Sequence, residues 1–256
     1  MNITADISWL ISILLLAIRL GAVFLLTPIL AVTQAPARFR LLFVLALSAL
    51  LVSALPAVSF EQTITISNLI KAALQELIIG AGMAFGLFTA FGAFLLGGRV
   101  LDFQMGFGVA SLIDPSTNTQ SAMMGVVLNL IAIMVFFLID GHHMVLKGLA
   151  YSIEVLPLGQ GLKGGLNIAA LVAQFGSMFI FALMVVAPAI FSILLLDVGL
   201  GVMARTMPQV NVFFVGIPLK IFIGMTVTAL TLKSIAPLMK NIFEGMFYFW
   251  QEMIGI

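Results

Sequence analysis

The two histidines of this chain, His142 and His143, are neighbours and follow Asp140 and Gly141. Imidazole and carboxylate groups bind metals and move protons, so Asp140-Gly141-His142-His143 is the first stretch to weigh for chemistry. Adjacent residues on a helix point about 100° apart, which works against two neighbouring histidines sharing one ion. No His-Glu-x-x-His pattern accompanies them. The stretch reads as a capped helix junction, and no metal or other cofactor is expected. Cysteine is absent, so a disulfide framework, a thiol nucleophile and a thiolate zinc site are excluded. Gly106-Phe107-Gly108 lacks the third glycine and the preceding strand of a phosphate-binding loop. Nucleophile elbows, Walker loops and paired-acid patterns are missing too, so the chain is not expected to be an enzyme.

Charge in apolar surroundings is the next signal. Arg19 sits in the middle of the first apolar segment, and Glu76, Asp197, Lys220 and Lys233 lie within or at the ends of others. A charge at mid-bilayer costs about 3 kcal/mol or more, so Arg19 is expected to face protein or water. These residues could line a path for ions or substrate. They could equally pair between helices, or snorkel near helix ends. If Arg19 is buried at a helix interface, an apolar replacement is expected to be tolerated.

A third signal is the stretch Leu101-Asp102-Phe103-Gln104-Met105-Gly106-Phe107-Gly108-Val109-Ala110-Ser111-Leu112-Ile113-Asp114-Pro115-Ser116. It carries two acids, two glycines and a proline between charge-free apolar runs. Irregular backbone at membrane depth is tolerated only when buried in protein or lining a polar cavity. The stretch is therefore a surface loop or part of a conduit. Gly106 and Gly108 permit backbone conformations closed to other residues. Met105 and Phe107 supply apolar bulk, and Pro115 discourages helix at Asp114. Met123 and Met124, close by, are flexible enough to pack against changing shapes.

The elements that must position these residues are membrane-type helices. Hydrophobic residues make up 62% of the 256 and charged ones 8%, against about 25% charged in a soluble domain. Six apolar segments stand out, at residues 7–32, 41–60, 72–98, 122–139, 168–196 and 210–238. All read as helices, because a lone strand leaves its backbone unsatisfied in lipid. The fold class is all-α, built of membrane-type helical hairpins. Gly82 and Gly86 form a G-x-x-x-G pair, a signal for close helix packing. The uncharged run 164–196 would be ~50 Å long as a helix, more than a ~30 Å hydrocarbon core needs, and Pro188 offers a kink. Lys240, Asn241, Glu244, Tyr248, Gln251 and Glu252 share one third of a helical wheel. With one lysine and two glutamates, this face favours docking on protein over lying at a membrane surface. Arg38 and Arg40 mark the clearest basic loop and place it in the cytoplasm. The net charge of +1 suggests no nucleic acid partner.

Several pieces carry a family resemblance. They are Ile18-Arg19-Leu20 through Thr27-Pro28-Ile29-Leu30, Gln104-Met105-Gly106 with Asp114-Pro115, and Asp140-Gly141-His142-His143 followed by Leu156-Pro157-Leu158-Gly159. The last is Met207-Pro208-Gln209-Val210-Asn211-Val212-Phe213-Phe214-Val215-Gly216-Ile217-Pro218. In this order they resemble the FliR family of the bacterial flagellar type III protein export gate. Related SctT proteins of virulence injectisomes tend to have Gln-Arg-Gly where this chain has Gln104-Met105-Gly106, which tilts the resemblance to flagellar export.

The resemblance implies features that composition does not. FliP-like and FliQ-like subunits would assemble with this chain, with FlhB-like and FlhA-like proteins as further partners. Residues 1–165 would be FliP-like and 166–256 FliQ-like. The assembly would belong to the bacterial inner membrane and the flagellar basal body, although much of it would lie above the bilayer plane. Unfolded export substrates would thread its pore. The central loop would plug that pore, with Met105, Gly106, Phe107, Gly108, Asp114, Pro115 and Ser116 as the residues concerned. The rival readings are an injectisome export subunit, an ion-coupled secondary transporter and a scaffold bundle. Broken helices in matching halves would mark the transporter. Pro188 and Pro218 offer breaks, but no matching pair appears.

Overall fold

A computed structural model of the chain describes residues 7–26, 36–54, 65–107, 123–162, 165–207, 209 and 211–254. Among the described residues every regular element is an α-helix, as the all-α expectation requires. The elements are α1 (Ile7–Leu26), α2 (Ala37–Ala54), α3 (Ile66–Met105), α4 (Met123–Leu138), α5 (Gly141–Val155), α6 (Ile168–Thr206) and α7 (Val212–Ile254). Five are long and apolar enough to cross a membrane, or six if α4 and α5 count as one broken span.

The boundaries differ from hydropathy in an instructive way. Helix α3 has 40 residues, or about 60 Å, twice a hydrocarbon core. Hydropathy found only 72–98, because Lys71, Arg99 and Asp102 interrupt the apolar run without interrupting the helix. Pro188 lies inside the 39-residue α6, and Pro218 and Pro237 inside the 43-residue α7. None of the three ends its helix. The amphipathic C-terminal stretch is the end of α7, not a separate element. Arg38 and Arg40 belong to the first turn of α2, where the Phe39 and Arg40 N–H groups bond to the Pro36 carbonyl. The basic loop expected there is therefore helical in its second half.

The described chain forms two compact units. The first comprises Met1–Thr89, Asp140–Gln174 and Phe243–Ile256, and the second Ala90–Ile139 and Phe175–Ile242.

In the first unit α1 packs along α2, with Phe24 edge-on to Phe43 at 5.7 Å. Two glycines of α3 then admit the end of α7. A Cβ on Gly86 would lie 2.7 Å from Trp250 Nε1, and one on Gly82 would collide with the Met253 sulfur. The G-x-x-x-G pair is thus a packing seam. Trp250 also lies against Gly148 of α5 and donates its indole N–H to the Met83 carbonyl at 3.0 Å. Phe243, Met246, Phe249, Trp250 and Met253 are buried, while Tyr248, Gln251 and Glu252 are exposed. The apolar side of this amphipathic end docks on the protein's own helices, and the polar face with Tyr248, Gln251 and Glu252 stays outward.

In the second unit α3, α4, α6 and α7 pack through small residues. A Cβ on Gly97 would lie 2.7 Å from the Ala182 carbonyl oxygen. Phe91 meets Phe136 edge-on at 5.5 Å. Lys220 of α7 and Asp197 of α6 form an ion pair at 2.5 Å, their side chains about one quarter and one third exposed respectively. Most apolar side chains of α6 and of the first half of α7 are exposed, including Phe179, Phe191, Leu195, Phe214 and Phe222. Surface of this extent marks contact with lipid or other proteins.

Candidate functional site

Among the described residues, two clusters of buried polar groups stand out, one in each unit. The first is built around Arg19. Gly80 of α3 faces α1 so closely that a Cβ there would lie 2.5 Å from the Arg19 carbonyl oxygen. Glu76 is one turn before Gly80 and shares its face. The backbone contact at Gly80 therefore delivers the Glu76 carboxylate to the Arg19 guanidinium.

The pairing is bidentate: Arg19 Nε donates to Glu76 Oε2 at 2.6 Å and Nη2 to Oε1 at 3.1 Å. Nη2 also donates to the Leu156 carbonyl at 3.0 Å, and Nη1 to the Ser152 carbonyl at 3.0 Å and its Oγ at 3.2 Å. Glu76 Oε1 accepts a further bond from the Gly159 N–H at 3.0 Å. Gly159 has φ 78°, a conformation that favours glycine. Both charged side chains are 0% exposed.

A guanidinium has five N–H donors in a rigid fork. Here five bonds account for it, and the acceptors come from α3, α5 and the turn after α5. The Leu156-Pro157-Leu158-Gly159 stretch supplies a carbonyl and an N–H to the pair. Sequence reading noticed Arg19, Glu76 and this stretch separately, but nothing in their spacing joins residues more than fifty positions apart. The site has no free donor for a passing ion, so Arg19 and Glu76 hold helices together.

The second cluster is the base of the central loop. Helix α3 stops at Met105, and Gly106 has φ 85°. The Gly106 N–H bonds to the Phe103 carbonyl at 3.1 Å and the Phe107 N–H to the Asp102 carbonyl at 3.0 Å. These two bonds with a left-handed glycine make a Schellman cap. Gly106 is thus required by the helix ending. Met105 is fully buried, and a Cβ on Gly224 of α7 would collide with it. Its bulk packs against α6 and α7 within this unit, near Ile193 and Gly224. Phe107 is half-buried. Gly108, Asp114, Pro115 and Ser116 lie outside the described residues.

Asp102, which sequence reading passed over, is 7% exposed. Its carboxylate accepts the Met124 N–H at 3.0 and 3.1 Å and the Gly125 N–H at 3.3 Å. These are unpaired amides of the first turn of α4, where a carboxylate is favoured by hydrogen bonding and by the helix dipole. Gly98, one turn before Asp102, lets α3 touch the Gly125 backbone directly. Met124 is buried and Met123 exposed.

At the Asp140-Gly141-His142-His143 stretch, Asp140 has φ 58° and precedes α5 with no side-chain cap bond. The junction is made by the left-handed backbone of Asp140, not by a capping carboxylate. The Asp140 carbonyl accepts the His143 and Met144 N–H groups, and its carboxylate lies 3.3 Å from His143 Nδ1. Asp140, His142 and His143 bring one possible metal ligand each within 4.8 Å of one another. Asp140 and His143 are largely exposed and the two rings lie side by side, 4.1 Å between centroids. Of the other charges noted in apolar segments, Asp197 and Lys220 pair as described; the Lys233 side chain lies outside what is described.

Comparison with known proteins places the chain in a family. Residues 10–246 match the family described as "Bacterial export proteins, family 1". The "Flagellar biosynthetic protein FliR" of Bacillus subtilis (strain 168) is 31% identical over 237 residues, 90% of either chain. The protein of the same name from Escherichia coli (strain K12) is 25% identical over 249 residues, 97% of this chain and 95% of that one. The "Surface presentation of antigens protein SpaR" of Shigella flexneri is 29% identical over 147 residues, 57% of this chain and 56% of that one. With nearly the whole length matched, and with apolar helices throughout, the chain belongs to family 1 of the bacterial export proteins.

Proposed function

We propose that this chain is the FliR-type subunit of a flagellar type III protein export gate in the bacterial inner membrane. The observation that carries the reading is the alignment over 90% of both chains with a protein named for flagellar biosynthesis. The likeness to SpaR covers little more than half of each chain, which favours flagellar over injectisome export. The broad exposed apolar surfaces of α2, α6 and α7 suit lipid and neighbouring subunits of FliP-like and FliQ-like kind, with FlhB-like and FlhA-like proteins as further partners. The division into a FliP-like part at 1–165 and a FliQ-like part at 166–256 belongs to this reading. It concerns resemblance along the chain, a separate matter from which helices pack together.

In this reading the subunit does no bond chemistry. Unfolded substrate chains pass a pore that it helps to line, and the segment that follows Met105, to Ser116, closes that pore at rest, while Met105 itself packs inside the subunit. The Schellman cap at Gly106 ends α3 and turns the chain out of the helix just where that segment begins. The experiment is a short deletion within 106–111, made in cells with the assembled complex verified by co-purification. Ion leak across the membrane with partial export retained is the expected outcome. An assembled complex that stays tight to ions refutes the plug. Removal of the whole subunit should give cells without external flagellar parts; normal flagella would refute the export role.

A further inference from the structure

We infer that Asp140, His142 and His143 form a binding site for one divalent transition-metal ion of the zinc class. The inference stands apart from the export reading and does not depend on it. One possible ligand atom from each of the three residues lies within 4.8 Å of the other two. The sequence-based expectation is no metal here, because neighbours on a helix point about 100° apart. Two local features overcome that separation.

The first is the backbone of Asp140. It precedes α5 with φ 58° and ψ 28°, a left-handed conformation. The carboxylate thereby lies over the first turn, with Oδ1 3.3 Å from His143 Nδ1. It makes no cap bond to the amides of α5. The Asp140 carbonyl serves those amides instead, accepting the His143 and Met144 N–H groups. The second feature is the pair of rings. His142 and His143 lie side by side, with centroids 4.1 Å apart and 38° between their planes. Their divergent Cα–Cβ directions do not carry the rings apart.

Zinc bonds to imidazole nitrogen and carboxylate oxygen are about 2.0–2.2 Å long, so two ligands of a tetrahedral ion sit roughly 3.3 Å apart. Asp140 and His143 are already at that separation. Rotation of the His142 ring between allowed side-chain conformations closes the rest of the gap. The start of a helix carries partial positive charge, which opposes a cation. The Asp140 carboxylate offsets it, so the acid is an essential ligand beside the two histidines. Two imidazoles and one carboxylate suit Zn²⁺, Co²⁺ and Ni²⁺, whereas Mg²⁺ and Ca²⁺ favour sites made of oxygen alone. Asp140 and His143 are 74% and 62% exposed, so an ion enters from solvent and water completes its coordination. The bound ion would tie the residue before α5 to the first turn of that helix.

The test uses the purified export complex, stripped with a chelator. It is titrated with Zn²⁺ against a chromophoric competitor, with Co²⁺ as the spectroscopic probe. One ion per copy of this subunit is expected, and excess Mg²⁺ should not displace it. Asp140→Asn keeps a residue tolerant of the left-handed backbone and removes the charge. His142→Phe keeps a ring and removes its nitrogens, and His143→Ala removes an exposed imidazole. Each should weaken binding about tenfold or more, the effect of about 1.4 kcal/mol of lost affinity, and change the Co²⁺ absorption. Thermal unfolding without metal checks that each complex assembles as the unsubstituted one does. Equal binding in all three variants overturns the inference, because the ion then lies elsewhere. Absence of binding in the unsubstituted complex overturns it as well. Unchanged binding in His142→Phe alone overturns the shared site, since two ligands would then suffice. Should His142→Phe fail to assemble, the exposed positions decide: loss of binding in Asp140→Asn and His143→Ala supports the site, and its retention refutes it.

Discussion

Replacing Arg19 by leucine leaves the Glu76 carboxylate, at 0% exposure, with the Gly159 N–H as its remaining donor among the described residues. Five hydrogen bonds disappear, two of them to the carboxylate and three to Ser152 and Leu156 acceptors. Breaking a buried ion pair by removing one partner costs about 3–5 kcal/mol, because the other charge stays behind. That is a large share of a typical folding free energy of about 5–15 kcal/mol. The sequence-based expectation that an apolar residue would be tolerated at Arg19 is thereby revised, since tolerance belongs to the pair and not to the single residue. Arg19→Leu with Glu76→Leu removes both charges. The Gly159 N–H and the two carbonyls left behind are neutral, and each costs about 1–3 kcal/mol at most if unsatisfied. The double variant is therefore expected to be more stable than Arg19→Leu alone, with a coupling of about 2–3 kcal/mol. Arg19→Lys keeps the charge but loses the planar fork, and should fall between. The assay is thermal unfolding of the solubilised complex for the unsubstituted chain, Arg19→Leu, Glu76→Leu, the double variant and Arg19→Lys, with subunit level in the membrane as a second reading. Arg19→Leu behaving as the unsubstituted chain would refute the argument, and so would strictly additive effects of the two replacements.

Gly80→Ala places a methyl 2.5 Å from the Arg19 carbonyl oxygen and 2.8 Å from the Ala22 side chain. The helices must separate, with a loss of about 1–3 kcal/mol and looser pairing of Arg19 with Glu76, read by the same thermal assay; an unchanged transition would show that α1 does not approach α3 there. At Asp140, where φ is 58°, Asp140→Val should cost about 1–2 kcal/mol, while Asp140→Gly and Asp140→Asn should be near neutral. If glycine there were as damaging as valine, the carboxylate and not the backbone would be what matters.

The two buried clusters differ in how far they could be read from the chain itself. Arg19 was legible because a charge in a long apolar run must be compensated, whatever the fold. Its compensation was not legible. Glu76, Ser152, Leu156 and Gly159 lie on other elements, and only the close contact at Gly80 brings them together. Asp102 was not legible at all. Near a helix end, an aspartate ordinarily faces water, and its burial depends on Gly98 meeting Gly125 across two helices.

The sequence by itself determined the helical, apolar character of the chain, because so few charges leave no other way to satisfy the backbone in a water-poor setting. It also determined the close packing at Gly82 and Gly86, the amphipathic end of the chain and the break at Gly106, since each rests on local periodicity or backbone preference. The tertiary structure decided where the helices end. Pro188, Pro218 and Pro237 sit inside continuous helices, although local preference alone would have kinked or ended them. It decided that the C-terminal face docks on Gly82 and Gly86 rather than on another molecule. Above all, it decided which buried charges meet. Pairing of this kind depends on distances between helices set by small residues, and such distances are not written in the neighbourhood of any one residue.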